Sequence, residues 1–240
     1  MNALVTLTIG SLPLWEYTLP PMRAACYRHG WALEMIGTRE VNVTRFDNNV
    51  WNVDFEKFRV ADYLATYDRV LLLDADAMMS PLCPDVFDAV PVDAIGAVFE
   101  DVGSRTDNRL GQIAKIKELA IDPHLEDWHD GYMNAGMMVF SKCHRDALTL
   151  DFGDVMVRDV GMRASFPAQN TMNYLCRRSG FPIIDLGYRW NHIPLFDEDW
   201  NGNPDRHDSH ILHYAGLGPD ARLAQAREDY EAWRYGDVYE

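Results

Sequence analysis

The 240 residues carry 48% hydrophobic and 25% charged side chains, which suits a folded chain with a sizeable core and excludes disordered, collagenous and fibrous classes. Twenty-two basic against thirty-seven acidic residues give a formal charge of −15, which repels nucleic acid and anionic membrane at long range. No apolar run approaches the roughly 20 residues that span a bilayer. The first ten residues lack a basic opening and a small-residue cleavage site, so a cytoplasmic location is expected.

Taken in chain order, residues 3–10 form an opening buried strand. Pro20-Pro21 start a helix over 22–29, since proline suits a first turn, and Gly30 ends it. Residues 31–36 are a second strand, and the polar, aperiodic stretch 42–54 is a loop. Phe58, Val60, Ala61 and Leu64 recur at helical spacing within 57–65. Arg69 to Leu73 is a short continuous apolar run, as in a central strand covered on both faces. A helical turn is expected at 86–89, a strand at 94–99, an amphipathic helix at 108–120 stopped by Asp122-Pro123, and an apolar strand at 133–140. Helices at 146–157 and 169–179, a strand at 181–186, a polar loop at 197–208, a strand at 211–214 and a helix at 220–235 complete the chain. Strands and helices alternate through at least the first 100 residues, which argues for an α/β fold with a mostly parallel, doubly wound sheet and flanking helices. No repeat or linker divides the chain, so residues 1–240 are expected to form a single domain.

Cys26, Cys83, Cys143 and Cys176 are far apart and form no C-x-x-C pair, so reduced thiols are expected rather than disulfides or a zinc-thiolate site. In so acidic a chain, a phosphate-bearing substrate needs local positive charge from a metal or from a few placed Lys and Arg. Asp74-Ala75-Asp76 follows the apolar run at 69–73, at the strand end where open α/β sheets bind ligands. Two carboxylates one residue apart can share a hard divalent cation, Mn²⁺ or Mg²⁺. By itself the tripeptide is a weak signal that reads more readily as a polar turn after a strand.

The context of that tripeptide resembles a known family. Residues 57–76, with Lys57 opening a helix, Tyr63-Leu64 near its close and hydrophobics leading into Asp74-Ala75-Asp76, are similar to the signature of family 8 glycosyltransferases. These are retaining enzymes of the GT-A fold that include glycogenin-like and bacterial lipopolysaccharide galactosyltransferases. Three later segments resemble the family in its order. Tyr132-Met133-Asn134-Ala135-Gly136-Met137-Met138-Val139-Phe140 is similar to F-N-A-G-V-M-L-F. Phe166-Pro167-Ala168-Gln169-Asn170-Thr171-Met172-Asn173 is similar to Y-P-D-Q-D-I-L-N. His210-Ile211-Leu212-His213-Tyr214-Ala215-Gly216 is similar to the start of H-F-x-G-x-x-K-P-W.

The resemblance implies roles at matched positions. Asp74, Asp76 and His213 would ligate the metal, while His210 is a neighbour that could be mistaken for the third ligand. Lys57 would reach the donor diphosphate. Thr8 and Ile9 would lie by the nucleotide base. Ala75, Asn134, Ala135, Gly136 and Gly216 would border the donor, small residues permitting close approach of backbone to ligand. Gln169 would face the reactive carbon of the sugar, where its amide could position donor or acceptor but is a poor nucleophile. Asn134 and Asp130 would touch the sugar.

The sequence also departs from the family. Ala168 and Asn170 stand where the D-Q-D trio has carboxylates, which points to an altered sugar preference. Gly216-Leu217-Gly218-Pro219-Asp220 lacks the family's Lys and Trp, leaving Arg222 as the candidate cation for the diphosphate. The reading is a metal-dependent retaining transfer of a sugar from a nucleoside diphosphate donor, UDP-linked by family habit, to a hydroxyl of a glycan or other acceptor. The alternatives are a sugar-phosphate nucleotidyltransferase, for which Gly10-Ser11-Leu12-Pro13-Leu14 is a poor phosphate loop, and a non-catalytic nucleotide-sugar-binding relative.

Overall fold

The structure is a computed structural model that describes residues 1–41, 53–151 and 166–233. Most of the 42–54 loop, the second half of the 146–157 helix and the end of the 220–235 helix lie outside these residues. The described strands are β1 (Asn2–Leu7), β2 (Ala32–Ile36), β3 (Arg69–Leu73), β4 (Ala77–Met79), β5 (Ile95–Phe99), β6 (Met133–Ser141), β7 (Ile183–Asp185) and β8 (Ile211–His213). The helices are α1 (Trp15–His29), α2 (Val60–Thr66), α3 (Thr106–Ala120), α4 (Pro167–Arg178) and α5 (Pro219–Ala232).

Six strands form one sheet in the order β2-β1-β3-β6-β5-β7, and within it only β6 runs against its neighbours. Both faces of this mainly parallel sheet are covered. Val70 and Leu72 of β3 join a core with α2, α3 and α4, while Leu71 and Leu73 join the opposite core with α1. That two-sided burial is why β3 reads as an unbroken apolar run rather than an alternating one. All nine residues of β6 are buried for the same reason.

The reversed direction of β6 positions the site. Ligands collect at the carboxyl ends of parallel strands, and an antiparallel strand brings its amino end to that same edge. The Asn134-Ala135-Gly136 segment therefore starts beside the end of β3, where the Asp74 N–H donates to the Gly136 carbonyl at 2.8 Å. A second, two-stranded antiparallel sheet pairs β4 with β8, with Ala77 opposite His213. Its partners are 136 residues apart in sequence, and β4 is a three-residue strand that the sequence pattern does not announce.

Several boundaries differ from expectation. Helix α1 begins at Trp15, so Pro20 and Pro21 lie inside it rather than at its start. Lacking N–H groups, they leave the carbonyls of Glu16 and Tyr17 without i+4 donors. Gly30 ends α1 as expected, at φ 68°, with its N–H on the Cys26 and Tyr27 carbonyls. Lys57 sits in a 3-10 segment, Val53–Arg59, rather than in the helix that follows it. The 142–148 segment is 3-10 rather than α-helical, and the polar 197–208 stretch is folded into short 3-10 turns.

Candidate active site

Asp74-Ala75-Asp76 is a turn between β3 and β4, held from three directions. Besides the Asp74–Gly136 bond, the Thr18 hydroxyl on α1 donates to the Ala75 carbonyl at 2.7 Å. The Tyr214 N–H donates to the Asp76 carbonyl at 3.0 Å, extending the β4–β8 pairing. These backbone restraints aim the two carboxylates, with Ala75 between them, into a cleft of about 610 Å³.

In that cleft Asp74, Asp76 and His213 each offer a ligand atom, all within 4.8 Å of one another. His213 Nε2 lies 3.2 Å from Asp76 Oδ1 and 3.8 Å from Asp74 Oδ2. Its other ring nitrogen, Nδ1, is 2.8 Å from Asn191 Oδ1. Hard carboxylate oxygens plus one imidazole form a donor set suited to a divalent cation of the Mn²⁺ or Mg²⁺ type. Gly136 makes room for the ring, since a Cβ there would stand 2.2 Å from His213 Cε1.

Two cations flank the acidic pair. Lys57 Nζ lies 2.7 and 2.9 Å from the two oxygens of Asp74 and 3.3 Å from the Ala135 carbonyl. Arg222, near the start of α5, places Nη1 2.8 Å from Asp76 Oδ2 and Nε 2.7 Å from the Leu217 carbonyl. Charge distributes unevenly over this group. Burial works against ionisation of Asp76, but His213 and Arg222 outweigh it and hold the carboxyl down at about 2. Burial pushes Asp74 up, with Asp76 adding to the effect and Lys57 offsetting part of it. Burial opposes the charged forms of Lys57 and His213, yet the neighbouring carboxylates win and both are raised.

A hydrogen-bonded amide group lies beside the charges. Gln169, in the first turn of α4, accepts from the Ala135 N–H at 3.1 Å and donates to Glu100 Oε1 at 2.7 Å. Asn134 donates from Nδ2 to Glu100 Oε2 at 2.9 Å. Glu100, fully buried at the end of β5, also pairs with Arg105 and Arg109, each at 2.7 Å.

Of the sequence-chosen positions, Ile9, Lys57, Asp74, Ala75, Asp76, Asn134, Gly136, Gln169 and His213 line the cleft. Ala135 contributes its backbone to Gln169 and Lys57. Thr8 is outside the lining, its hydroxyl 3.9 Å from where a Cβ on Gly37 would stand, and Gly216 sits one residue beyond the lining Ala215 at φ +85°. Asp130 is not brought in. It is exposed, with its carbonyl held by Arg177, while Asp101 takes the N–H groups of Gly131 and Tyr132 and turns the chain there. His210 packs against Trp190, ring centroids 4.6 Å apart and planes tilted by 55°, and is no part of the cluster. Sequence reasoning missed Glu100, Asn191 and the apolar wall of Leu12 and Trp15. The acidic pair Glu100-Asp101 directly after an apolar run is the signal for Glu100; Asn191 carries none.

The family model described as Glycosyl transferase family 8 matches residues 32–218, more than three quarters of the chain. The chain belongs to glycosyl transferase family 8. It is a glycosyltransferase, and its fold agrees with solved glycosyltransferase structures. A glycosyltransferase involved in glycosylation of the major capsid of PBCV-1 superposes with a TM-score of 0.61 at 12% identity, over 95% of this chain and 98% of that one. Galactosyltransferase LgtC, solved with donor and acceptor sugar analogues, gives 0.60 at 16% identity, over 100% of this chain and 97% of that one. Mouse xyloside xylosyltransferase 1 gives 0.53 at 11% identity, over 90% of this chain and 98% of that one. No curated protein matches the sequence. Among the described residues no helix is long and apolar enough to cross a membrane.

The family setting separates the two departures near Gln169. Ala168 lines the cleft of this transferase, so its missing carboxylate changes the surface a ligand meets. Asn170 is fully buried instead, accepting from the Tyr132 hydroxyl and donating to Gln112 Oε1 at 3.0 Å. Its change is absorbed by the core.

Proposed function

We propose that the enzyme transfers a sugar from a nucleoside diphosphate donor, UDP-linked by family habit, to an acceptor hydroxyl, with Mn²⁺ or Mg²⁺ held by Asp74, Asp76 and His213. The observation that carries this reading is the convergence of two carboxylates and one imidazole within 4.8 Å at a cleft that also presents Lys57 and Arg222. When bound, the cation would neutralise negative charge developing on the departing diphosphate.

The side chains divide the remaining work. Lys57 and Arg222 exchange a carboxylate partner for diphosphate oxygens, and Arg222 takes the place of the lysine absent after Gly216. Gln169 and Asn134 hold hydroxyls of the sugar and the incoming acceptor in line. Ile9, Leu12 and Trp15 offer an apolar wall for the base. Retention of anomeric configuration is supported by the family resemblance and by the cleft's chemistry. Its lining carboxylates among the described residues are Asp54, Asp74 and Asp76, and Gln169 stands as a neutral amide that is a poor nucleophile. Attack on the face the diphosphate leaves requires no enzyme nucleophile. The reaction is proposed to run within one domain and, given free rather than paired cysteines, in a reducing compartment such as the cytoplasm.

The test is incubation with Mn²⁺ and a panel of nucleoside diphosphate sugars, following donor consumption and the anomeric configuration of the product. Metal-dependent turnover with retention is expected. Turnover unaffected by chelator sinks the metal assignment, inversion sinks the stereochemical one, and binding without turnover favours a non-catalytic relative.

A further inference from the structure

Asn191 closes a 3-10 turn, Tyr188–Trp190, and its side chain is fully buried between two residues of the cleft. Its Oδ1 is 2.8 Å from His213 Nδ1 and its Nδ2 is 3.0 Å from Asn134 Oδ1. The direction of every bond in this chain is fixed by its far end. The Glu100 carboxylate, paired with Arg105 and Arg109, can only accept, so Asn134 must turn Nδ2 toward it. The Gly136 N–H can only donate, and it meets Asn134 Oδ1 at 2.8 Å, which demands the same orientation independently. Asn134 Oδ1 then requires a donor from Asn191, so Nδ2 faces Asn134 and Oδ1 faces His213. An oxygen facing Nδ1 requires the proton on Nδ1, so Nε2, 3.2 Å from Asp76 Oδ1, is the nitrogen left to give up its proton and offer a lone pair to a cation.

We infer that Asn191 is the positioning residue of this transferase: it relays the orientation of the Glu100–Asn134 pair to His213 and sets the imidazole in the Nδ1–H tautomer that can ligate a cation through Nε2. The inference rests on the cation site proposed above. It adds that a residue touching neither cation nor substrate governs metal affinity, and that the sugar side and the metal side of the cleft share one continuous hydrogen-bonded chain. A ring held by a neighbour that could donate or accept equally well would spend part of its time in the wrong tautomer.

The experiment measures Mn²⁺ binding by the electron paramagnetic resonance of free Mn²⁺, and the His213 tautomer by ring ¹⁵N shifts in metal-free protein at a pH that leaves the ring neutral. Wild type is expected to show Nδ1–H. Asn191→Leu is expected to bind Mn²⁺ about 10–100-fold more weakly, the usual cost of losing such a supporting bond. Asn191→Asp, which keeps an acceptor on Nδ1 but loses the donor to Asn134 Oδ1, is expected to lose less than about 10-fold in affinity, and a larger loss would count against the inference. In a His213→Ala background the leucine change should have no further effect, because the ring through which Asn191 acts is gone. An Nε2–H ring in wild type, unchanged Mn²⁺ affinity in Asn191→Leu, or an equal loss in the His213→Ala background would each overturn the inference. If wild type binds no Mn²⁺, the cation reading fails instead, while the tautomer still decides the role of Asn191. If the leucine variant does not fold, the wild-type tautomer and the aspartate variant decide it.

Discussion

At one side of the cleft, Asp74, Asp76, His213, Lys57 and Arg222 bring five ionisable groups from four separate stretches of chain. At the other, Asn134, Gln169 and Asn191 bring neutral amides around the buried Glu100. The charged side is held together by partners that can be exchanged: each carboxylate already has a cation, and each cation can trade it for a phosphate oxygen. The amide side cannot be rearranged so cheaply, because every donor and acceptor there has one direction that satisfies its neighbours. The contrast suggests that the charged side answers to ligand, while the amide side fixes the frame in which it answers.

The largest expected effect breaks the frame. Glu100→Ala would leave the Arg109 guanidinium, whose side chain is 8% exposed, without its carboxylate. Losing one partner of a buried pair costs about 3–5 kcal/mol, and chemical denaturation measures it; a loss near zero would mean the amide side is not anchored on Glu100. On the charged side, Asp76→Asn should weaken Mn²⁺ binding beyond the roughly 10–100-fold that a supporting bond is worth, with a smaller loss of stability under chelator than Glu100→Ala, since a carboxyl held at about 2 by His213 and Arg222 does contribute to the fold. Equal loss of fold and metal would blur the distinction between the two sides.

Arg222→Ala comes next. A hydrogen bond to a charged group is worth about 1.5–3 kcal/mol, so donor affinity should fall by about 10- to 100-fold. Unchanged donor binding would remove Arg222 from the proposed diphosphate site. Ala168→Asp sharpens the sugar side. One gained hydrogen bond nets about 0.5–1.5 kcal/mol, so relative kcat/KM between donors differing at one hydroxyl should shift roughly 2- to 10-fold, whereas restoring Asp at the buried Asn170 should leave that ratio alone.

The smallest effect is a pH control away from the cleft. His144 is buried, accepts the Ser141 N–H on Nδ1 at 3.0 Å, and is depressed below its usual value by burial, with Arg69 adding to the effect. Its folded-state value lies below its unfolded value, so the unfolded chain takes up the proton first. Its contribution is complete above about pH 6.5 and is lost as pH falls below that. His144→Gln should flatten the slope of stability on the acid side. A slope unchanged by the substitution would assign acid sensitivity to other groups.

How much of this was legible in the sequence depends on how local each feature is. The apolar run of β3 and the tripeptide after it are local, and both were readable. The helical spacing at 108–120 is readable too, since a repeating apolar face needs no distant partner, and the structure begins the helix two residues earlier, at Thr106. The true start of α1 was not, because tertiary packing kept Pro20 and Pro21 inside a helix that local preference would begin after them. Strand β4 exists only because β8 pairs with it. Asp130 lies close to Asn134 in sequence, yet the turn at Gly131 leaves it on the surface.

The sequence by itself determined the chemistry available: an acidic pair at the end of a buried strand, a histidine in a late motif, and an alanine where a carboxylate was expected. Only the tertiary structure decided which of these meet. Reversal of β6 carried Asn134 to the edge where β3 ends, and the β4–β8 pairing carried His213 to Asp76. Asn191 has no motif of its own. Its role exists only in the directions of two hydrogen bonds, which follow from where a carboxylate and a glycine N–H lie in space.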